Sequence, residues 1–419
     1  MEIKTIDEIK DFVEIEKTID ERNIRLYFVK NILLTGYSSH YPDILFKEAA
    51  KNYLLLPIKE MCMSLNKKSY YEENGLKFDY KESIPLNINY IIFDVYFFIY
   101  NTENYYHFIY DTLPYLYCFL KLKEKNKNIK LLMNYNKNKN YFLPFVKESL
   151  ELLNIKDNDI LIHDNNNIYS NLYFSNSLTH DNLSNNPPRK EIFEIYKIMI
   201  ENAKKNITNF FSFKHDNIYI SRRTWINEKQ TDNIGTNYTT KRKLMNEDEL
   251  VDNLKKKDFI EIFGENYSMT EKILLFNNAQ TIIGAIGGTI CNCVFCNDKC
   301  KIVSIVSPDF LNINFRMKYL FNNNVILFND TYLDCKDGEI PLYVRIEITD
   351  EKSSFYKNLG EIEKIENNKY IINLSKNFIG WNTYEQYDKI LLYKEQFKTL
   401  DNGINSPWKI DINKLLKEL

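Results

Sequence analysis

Between residues 217 and 328 the sequence alternates strand-like and helix-like segments without interruption. β-Branched and aromatic runs at 217–221, 259–263, 281–284, 301–306 and 325–328 are separated by helical apolar spacing at 247–256, 269–278, 289–296 and 311–321. Strict alternation of this kind predicts a parallel sheet wound with helices on both faces. Asn246 with Glu249, and Ser268 with Glu271, have the spacing of capping boxes at two of the helix starts. Open parallel sheets bind ligands outside the carboxyl ends of their strands. Here those positions hold Arg222-Arg223, Glu265-Asn266, Gly284 to Thr289 and Ser307-Pro308-Asp309.

That rim reads as a site for a diphosphate. Arg222 and Arg223 offer planar, permanently charged donors that suit phosphate oxygens. The backbone N–H groups opening the predicted helix after Gly288 add partial positive charge. Charge-assisted hydrogen bonds of this sort are worth roughly 1.5–3 kcal/mol each. The chain has only 11 glycines in 419 residues, and Gly284, Gly287 and Gly288 fall together on the rim. The competing reading is that the arginines are solvated and the glycines only permit tight helix–strand packing. The same scarcity excludes other sites: there is no G-x-x-x-x-G-K-[ST] loop and no G-x-G-x-x-G turn after any plausible strand, so P-loop and ordinary dinucleotide readings are unsupported.

The first half is less regular. Strands are predicted at 24–34, 90–98, 129–133, 159–162 and 168–174, helices at 105–123, 143–153 and 190–204, and a linker at 183–189, where Pro187-Pro188 fits neither regular element. The tail carries a predicted hairpin at 361–374 turning at Asn367-Asn368, and helices at 383–397 and 411–419. Domains are expected at 1–189, 190–330 and 331–419. A net charge of −2 provides no electrostatic footprint for nucleic acid. The charged first residues hold no apolar signal-peptide core, and no run of 18 apolar residues occurs, so a soluble, cytoplasmic protein without a transmembrane segment is expected. Seven cysteines then read as reduced thiols. Runs of Asn such as 134–140 and 165–167 read as genome composition rather than disorder, because hydrophobic segments interrupt them throughout.

Three further constellations carry chemistry. His107 and Asp111 are four apart on a predicted helix, so they share a face and could act as base and orienting carboxylate; a satisfied core histidine is the bland alternative. Cys291, Cys293, Cys296 and Cys300 have no nearby His, and three of them follow the buried stripe of one helix, which favours buried thiols over zinc. Asp157-Asn158-Asp159 imitates a D-x-D metal motif but sits in a polar loop ahead of its strand.

The stretch from Asn104 through His107 and Asp111 to Pro114 resembles the N-x-x-H-x-x-x-D-x-L-P signature of glycosyltransferase family 61, also known as DUF563. YISRR ending at Arg223, NEDEL from Asn246, Glu265-x-x-Ser268-x-x-Glu271, and GAIGGTICNCVF from Gly284 follow in that family's order and spacing, and the ending PWKIDINKLLKEL is similar to its last helix. The resemblance covers roughly residues 90–330. Three positions depart from the family pattern: Ile286 stands where the glycine-rich phrase has a histidine, Lys272 where a Gln follows the Glu, and Tyr115 where an Arg follows Leu-Pro.

The resemblance implies a GT-B fold, two Rossmann-like domains facing across a cleft, here with a C-terminal hairpin and helices. It implies an inverting, metal-independent transfer of sugar from a nucleotide-sugar, usually a UDP-sugar, to a glycan or other hydroxyl acceptor, with no tightly bound cofactor and no bound metal. His107 and Asp111 would supply the base. Arg222, Arg223, Gly284, Gly287, Gly288, Thr289 and Asn292 would line the donor site, with Glu265 a candidate for ribose or donor contacts. Ile286 motivates a second reading, a catalytically silent member that binds nucleotide-sugar or glycan. A third, an epimerase acting on a UDP-sugar, needs no acceptor.

Overall fold

The structure is a computed structural model, and it describes residues 2–4, 12–16, 24–35, 43–48, 51–55, 89–99, 102–135, 140–175, 178–179, 190–206, 213–223, 244–285, 287–306, 324–332, 340, 344–379, 382–400 and 407–419. The predicted linker at 183–189, the helix at 311–321, Ser307 to Asp309 and Ile286 lie outside the described residues. The chain divides into two compact units, one of Met1–Ser212, Asp232–Thr236 and Ser268–Leu274, the other of Phe213–Thr231, Asn237–Tyr267 and Leu275–Leu419.

The first unit is built on strands β1 (Glu2–Lys4), β2 (Phe12–Glu16), β3 (Ile24–Thr35), β4 (Asp43–Glu48), β5 (Lys51–Leu55), β6 (Asn89–Phe97), β7 (Lys130–Met133), β8 (Ile160–Ile162) and β9 (Asn167–Ser175). They form one sheet in the order β1-β5-β4-β3-β9-β6-β7-β8, with β2 paired to β3. The run β9-β6-β7-β8 is parallel, and β3 joins it antiparallel through β9. Its helices are α1 (Leu116–Lys125), α2 (Pro144–Leu152) and α3 (Glu194–Asn206). Pro144 opens α2, where its missing N–H costs nothing. α3 is tied down on the same unit: Tyr196 Oη donates to the Ile109 carbonyl at 2.7 Å and Asn202 Nδ2 to the Leu152 carbonyl at 2.7 Å.

The second unit contains β10 (Asn217–Ile220), β11 (Ile260–Ile262), β12 (Thr281–Ala285), β13 (Lys301–Ile305) and β14 (Asn324–Phe328). The order is β11-β10-β12-β13-β14, and every pairing is parallel. In the unit's own sequence this is 2-1-3-4-5, so the winding reverses between β10 and β12. In such doubly wound sheets the ligand crevice opens at that reversal. Strand residues of alternating orientation, Ile218 and Ile282 as well as Tyr219 and Ile283, are all buried, which is how a sheet covered on both faces reads. One face packs Tyr219, Ile283, Val303 and Ile305 against Leu250, Val251 and Leu254 of α4 (Glu247–Lys255), with Trp408, Ile410, Ile412 and Leu415 from the chain's end joining the same cluster. α5 (Met269–Asn278), whose opening residues Ser268–Leu274 are assigned to the first unit, starts with a formed capping box: Glu271 N–H donates to Ser268 Oγ at 3.3 Å and Ser268 N–H to Glu271 Oε2 at 2.7 Å.

The rest of this unit is antiparallel. β15 (Thr331–Tyr332) pairs with β21 (Lys409–Ile410), while β16 (Arg345–Ile348), β17 (Leu359–Glu366), β18 (Lys369–Ile379), β19 (Asn382–Leu392) and β20 (Phe397–Thr399) form a sheet ordered β19-β18-β17-β16-β20. The β17–β18 hairpin turns at Asn367 and Asn368 with φ of 49° and 61°, the left-handed pair that a two-residue hairpin turn demands. The helix expected at 383–397 is instead β19 followed by a short 3-10 turn, Lys394–Gln396, and β20. Pairing along almost the whole of β18 satisfies its backbone and overrides the apolar spacing that suggested a helix. The final helix, α6 (Ile412–Lys417), forms as expected, with Asp411 Oδ1 accepting from Lys414 N–H at 3.0 Å.

Asn246 does not cap α4 with its side chain. Its Nδ2 donates to the Ile410 carbonyl at 2.9 Å and its Oδ1 accepts from Ile410 N–H at 3.2 Å, so the amide joins the tail strand instead of forming a box with Glu249. A primary amide matches both groups of one strand residue, an alternative that local spacing does not reveal.

Candidate functional site

In the first unit, the expected helix at 105–123 is a continuous helical segment of changing pitch. One α-turn, Tyr105–His107, leads into a π-helical stretch, Phe108–Thr112, then a 3-10 turn, Leu113–Tyr115, and finally α1. Pro114 explains part of this, because its missing N–H cannot continue an α ladder. π-Helical turns of this kind occur frequently at functional sites. Asn104 fixes the start, its Oδ1 accepting from His107 N–H at 3.3 Å.

His107 Nδ1 lies 2.7 Å from Asp111 Oδ2, with the imidazole 28% exposed and the carboxylate 3% exposed. The two expected partners therefore meet. A buried carboxylate against Nδ1 holds the proton there and leaves Nε2 as the basic nitrogen, the arrangement a general base requires. The Tyr106 ring meets the imidazole edge-on at 5.4 Å and stacks on Tyr110 at 5.5 Å, which limits ring rotation. Tyr105 packs edge-on to Phe145, and Lys272 Nζ stands 4.5 Å above the Tyr105 ring. The departure at Lys272 thus has a structural role, a buried ammonium over the aromatic that opens the His107 segment.

In the second unit the two neighbouring arginines have separate fates. Arg223 Nε and Nη2 donate to Glu261 Oε1 and Oε2 at 2.9 and 2.6 Å, and Nη1 donates to Asp248 Oδ1 at 2.6 Å. Burial lowers the Arg223 pKa, but these carboxylates outweigh it and raise it well above the ordinary value. All three nitrogens of Arg223 are engaged in holding β10 to β11 and α4. Arg222 behaves differently: a Cβ added at Gly287 would lie 3.1 Å from its Nη1, so the guanidinium lies against the bare backbone of Gly287. Burial lowers the Arg222 pKa, and the Glu247 charge opposes that. Arg222 follows β10 and Gly287 follows β12, the two strands that flank the reversal of winding.

Gly264 and Thr289 also converge. A Cβ on Gly264 would sit 2.2 Å from Thr289 Oγ1, so the absence of a side chain lets the turn Gly264–Asn266 close on Thr289. That brings half-buried Glu265 to the same strand ends. Gly284 has a packing role, since a Cβ there would meet Ile220 Cβ at 2.9 Å and Ile290 Cδ1 at 3.2 Å. Asn292 is fully buried and donates to the Thr289 carbonyl at 2.8 Å, closing its own turn. Gly288 is exposed, with helical φ and ψ. The helix expected at 289–296 is a seven-residue 3-10 turn, Thr289–Phe295. Its dipole is too short to act as an anion-binding helix terminus, so the positive charge of the rim comes from Arg222.

The feature that sequence spacing missed is Glu247, the first residue of α4, which is 1% exposed. Its Oε1 accepts from Arg222 N–H at 2.7 Å, Tyr219 Oη at 2.8 Å and Ser221 Oγ at 3.3 Å. Burial raises its pKa, opposed by those donors and the Arg222 charge. It lies inside the NEDEL phrase, but an acidic residue in a helix's first turn is ordinarily solvated.

Cys291, Cys293 and Cys300 are buried and Cys296 partly so, with burial raising the Cys293 and Cys296 thiols and the Cys296 contact raising Cys300 most. Among the described residues, no group of three or more His, Cys, Asp or Glu side chains is placed to hold a metal ion. Asp157-Asn158-Asp159 forms a 3-10 turn in which Asp159 accepts from Lys156 N–H at 2.9 Å and pairs with Lys123, a local structural use. Among the described residues, no helix is long and apolar enough to cross a membrane.

Residues 105–303 match the Glycosyltransferase 61 family model. The matched span opens on the His107 segment and ends within β13, so it contains His107, Asp111, Arg222, Glu247, Glu265, Gly287 and the four cysteines from Cys291 to Cys300. No curated protein matches the chain.

Proposed function

We propose, for a chain that carries a glycosyltransferase 61 family domain over residues 105–303, that it transfers a sugar from a nucleotide-sugar, a UDP-sugar being our choice, to a hydroxyl acceptor with inversion at C1. The reading keeps the GT-B form and the metal-independent mechanism that the sequence resemblance implies. The observation that carries it is the His107–Asp111 pair at 2.7 Å within that domain, because a silent binding protein has no use for an imidazole held in one tautomer.

In the proposed reaction the acceptor oxygen attacks C1 as its proton passes to His107 Nε2. The bond from C1 to the phosphate oxygen breaks, and its electron pair leaves with the nucleoside diphosphate. Asp111 keeps the proton on Nδ1 and stabilises the imidazolium that forms. Arg222 offers its guanidinium to the departing diphosphate, with Gly287 leaving room for close approach, and Glu265 would make donor or ribose contacts. A positioned base contributes about 10²–10⁴-fold.

The test is nucleotide release from a panel of UDP- and GDP-sugars, with and without hydroxyl acceptors, in wild type and His107→Ala. Turnover that falls by about 10²–10⁴-fold in the variant, with donor affinity unchanged, supports the reading. Absence of turnover and of nucleotide binding for every donor overturns it. A silent nucleotide-sugar binder remains the second reading, favoured by Ile286 in the position of the family histidine; donor binding without turnover, with activity gained in Ile286→His, would select it. NMR of donor alone separates out epimerisation.

A further inference from the structure

We propose that Glu247 is a positioning residue: its buried carboxylate sets the place of Arg222 at the end of β10, and through Arg222 the affinity of the second unit for a diphosphate group. The inference rests on the diphosphate reading of Arg222 given above. Three observations carry it.

The first is where the carboxylate goes. Asp248 and Glu249 in the same helical turn are exposed, as acids at a helix start ordinarily are, while Glu247 is turned inward to the strand end. The second is what it holds. Oε1 collects Tyr219 Oη, Ser221 Oγ and the Arg222 backbone N–H, so three of four consecutive residues at the end of β10 are referenced to one oxygen. The third is that Oε2 is buried with no hydrogen-bond donor among the described residues. Burying a carboxylate oxygen in this way is costly, and a hydrophobic or fully satisfied residue would serve stability better. The charge itself is what remains to explain, and it acts on Arg222: each of the two charges favours the ionised form of the other.

The arrangement also accounts for the neighbouring arginine. Glu261 and Asp248 clamp the Arg223 side chain while Glu247 clamps the Arg222 main chain. The strand end is thereby held from both sides, with Arg222 Nη1 lying against the backbone of Gly287.

The test is a double-mutant cycle read by calorimetry with UDP, GDP, ADP and inorganic pyrophosphate as probes. Glu247→Gln keeps the shape and the Oε1 acceptor but removes the charge. It is expected to weaken binding about tenfold, the scale of one charge-assisted interaction, with a cooperative unfolding transition retained. Arg222→Ala is expected to weaken binding at least as much, and the double variant no further than Arg222→Ala alone, because Glu247 acts through Arg222. Losses that multiply in the double variant, or wild-type affinity in Glu247→Gln, overturn the positioning role while leaving the diphosphate reading intact. Full affinity in Arg222→Ala, or a wild type that binds none of the probes, overturns both. If Glu247→Gln does not fold, Tyr219→Phe carries the test: removing one of the three donors should weaken binding about threefold in wild type and not at all in Arg222→Ala, and equal losses in both backgrounds overturn the proposal.

Discussion

Arg222 and Arg223 are adjacent in sequence and chemically identical, yet their surroundings give them different work. Arg223 and Glu261 are a nearly buried bidentate pair, and breaking such a pair costs about 3–5 kcal/mol by stranding the partner's charge. Arg223→Ala is therefore expected to lower the denaturant midpoint strongly while leaving nucleotide affinity within about threefold, whereas Arg222→Ala should raise the donor dissociation constant about tenfold or more with little loss of stability. Chemical denaturation and calorimetry on the two variants separate these outcomes; equal effects on affinity would refute the assignment. A second residue-scale expectation concerns His163, which accepts from Tyr169 Oη at 2.7 Å through Nδ1 and donates to Asn165 Oδ1 at 3.0 Å through Nε2. Burial holds its pKa below the ordinary 6.5. The unfolded chain then binds the proton more readily than the folded one, so stability is unaffected above 6.5 and falls as pH drops below it toward the folded value. Comparing unfolding at pH 7.5 and 5.5, His163→Gln should lose less stability than wild type over that interval; an equal loss would show that His163 does not contribute.

At the scale of elements, local rules hold where one segment can satisfy itself and yield where a partner competes. The Asn367-Asn368 turn is an example of the first. Both residues carry positive φ, and the second position of such a turn favours glycine, so Asn368→Gly should stabilise the hairpin by about 0.5–1 kcal/mol. A lower melting temperature in that variant would mean that the Asn368 side chain does more than tolerate the turn. β19 exemplifies the second case, because its pairing with β18 converts a helix-like pattern into a strand. The His107 segment lies between them. Its helicity follows from spacing, while the π-helical stretch at Phe108–Thr112 depends on burial of all five residues and on Pro114 downstream.

For the whole molecule, the decisive arrangement is the 2-1-3-4-5 order of β10 to β14, which sets Arg222 and Gly287 on the strands flanking the reversal. The chain's end is part of the same unit: Trp408, Ile410, Ile412 and Leu415 belong to the core that covers this sheet. Burying each such side chain stabilises by about 1.5–3 kcal/mol, so losing all four approaches the 5–15 kcal/mol that holds a whole domain together. Truncation after Leu400 should abolish cooperative unfolding of the second unit, as read by near-UV circular dichroism and protease resistance; a truncated chain that unfolds cooperatively at the wild-type temperature would contradict this. The alternation of strands and helices, the Asn-Asn turn, the Ser268–Glu271 box and the His107–Asp111 pairing were all legible in the sequence, because each depends on residues a few positions apart. The division of labour between the two arginines, the packing roles of Gly284 and Asn292, the strand at 382–392 and the inward turn of Glu247 were not. The arginines, Gly284 and Glu247 are settled by partners 25 or more residues away. The strand and Asn292 are settled by packing that competes with a helical pattern, and spacing along a chain carries no information about which group will arrive to compete.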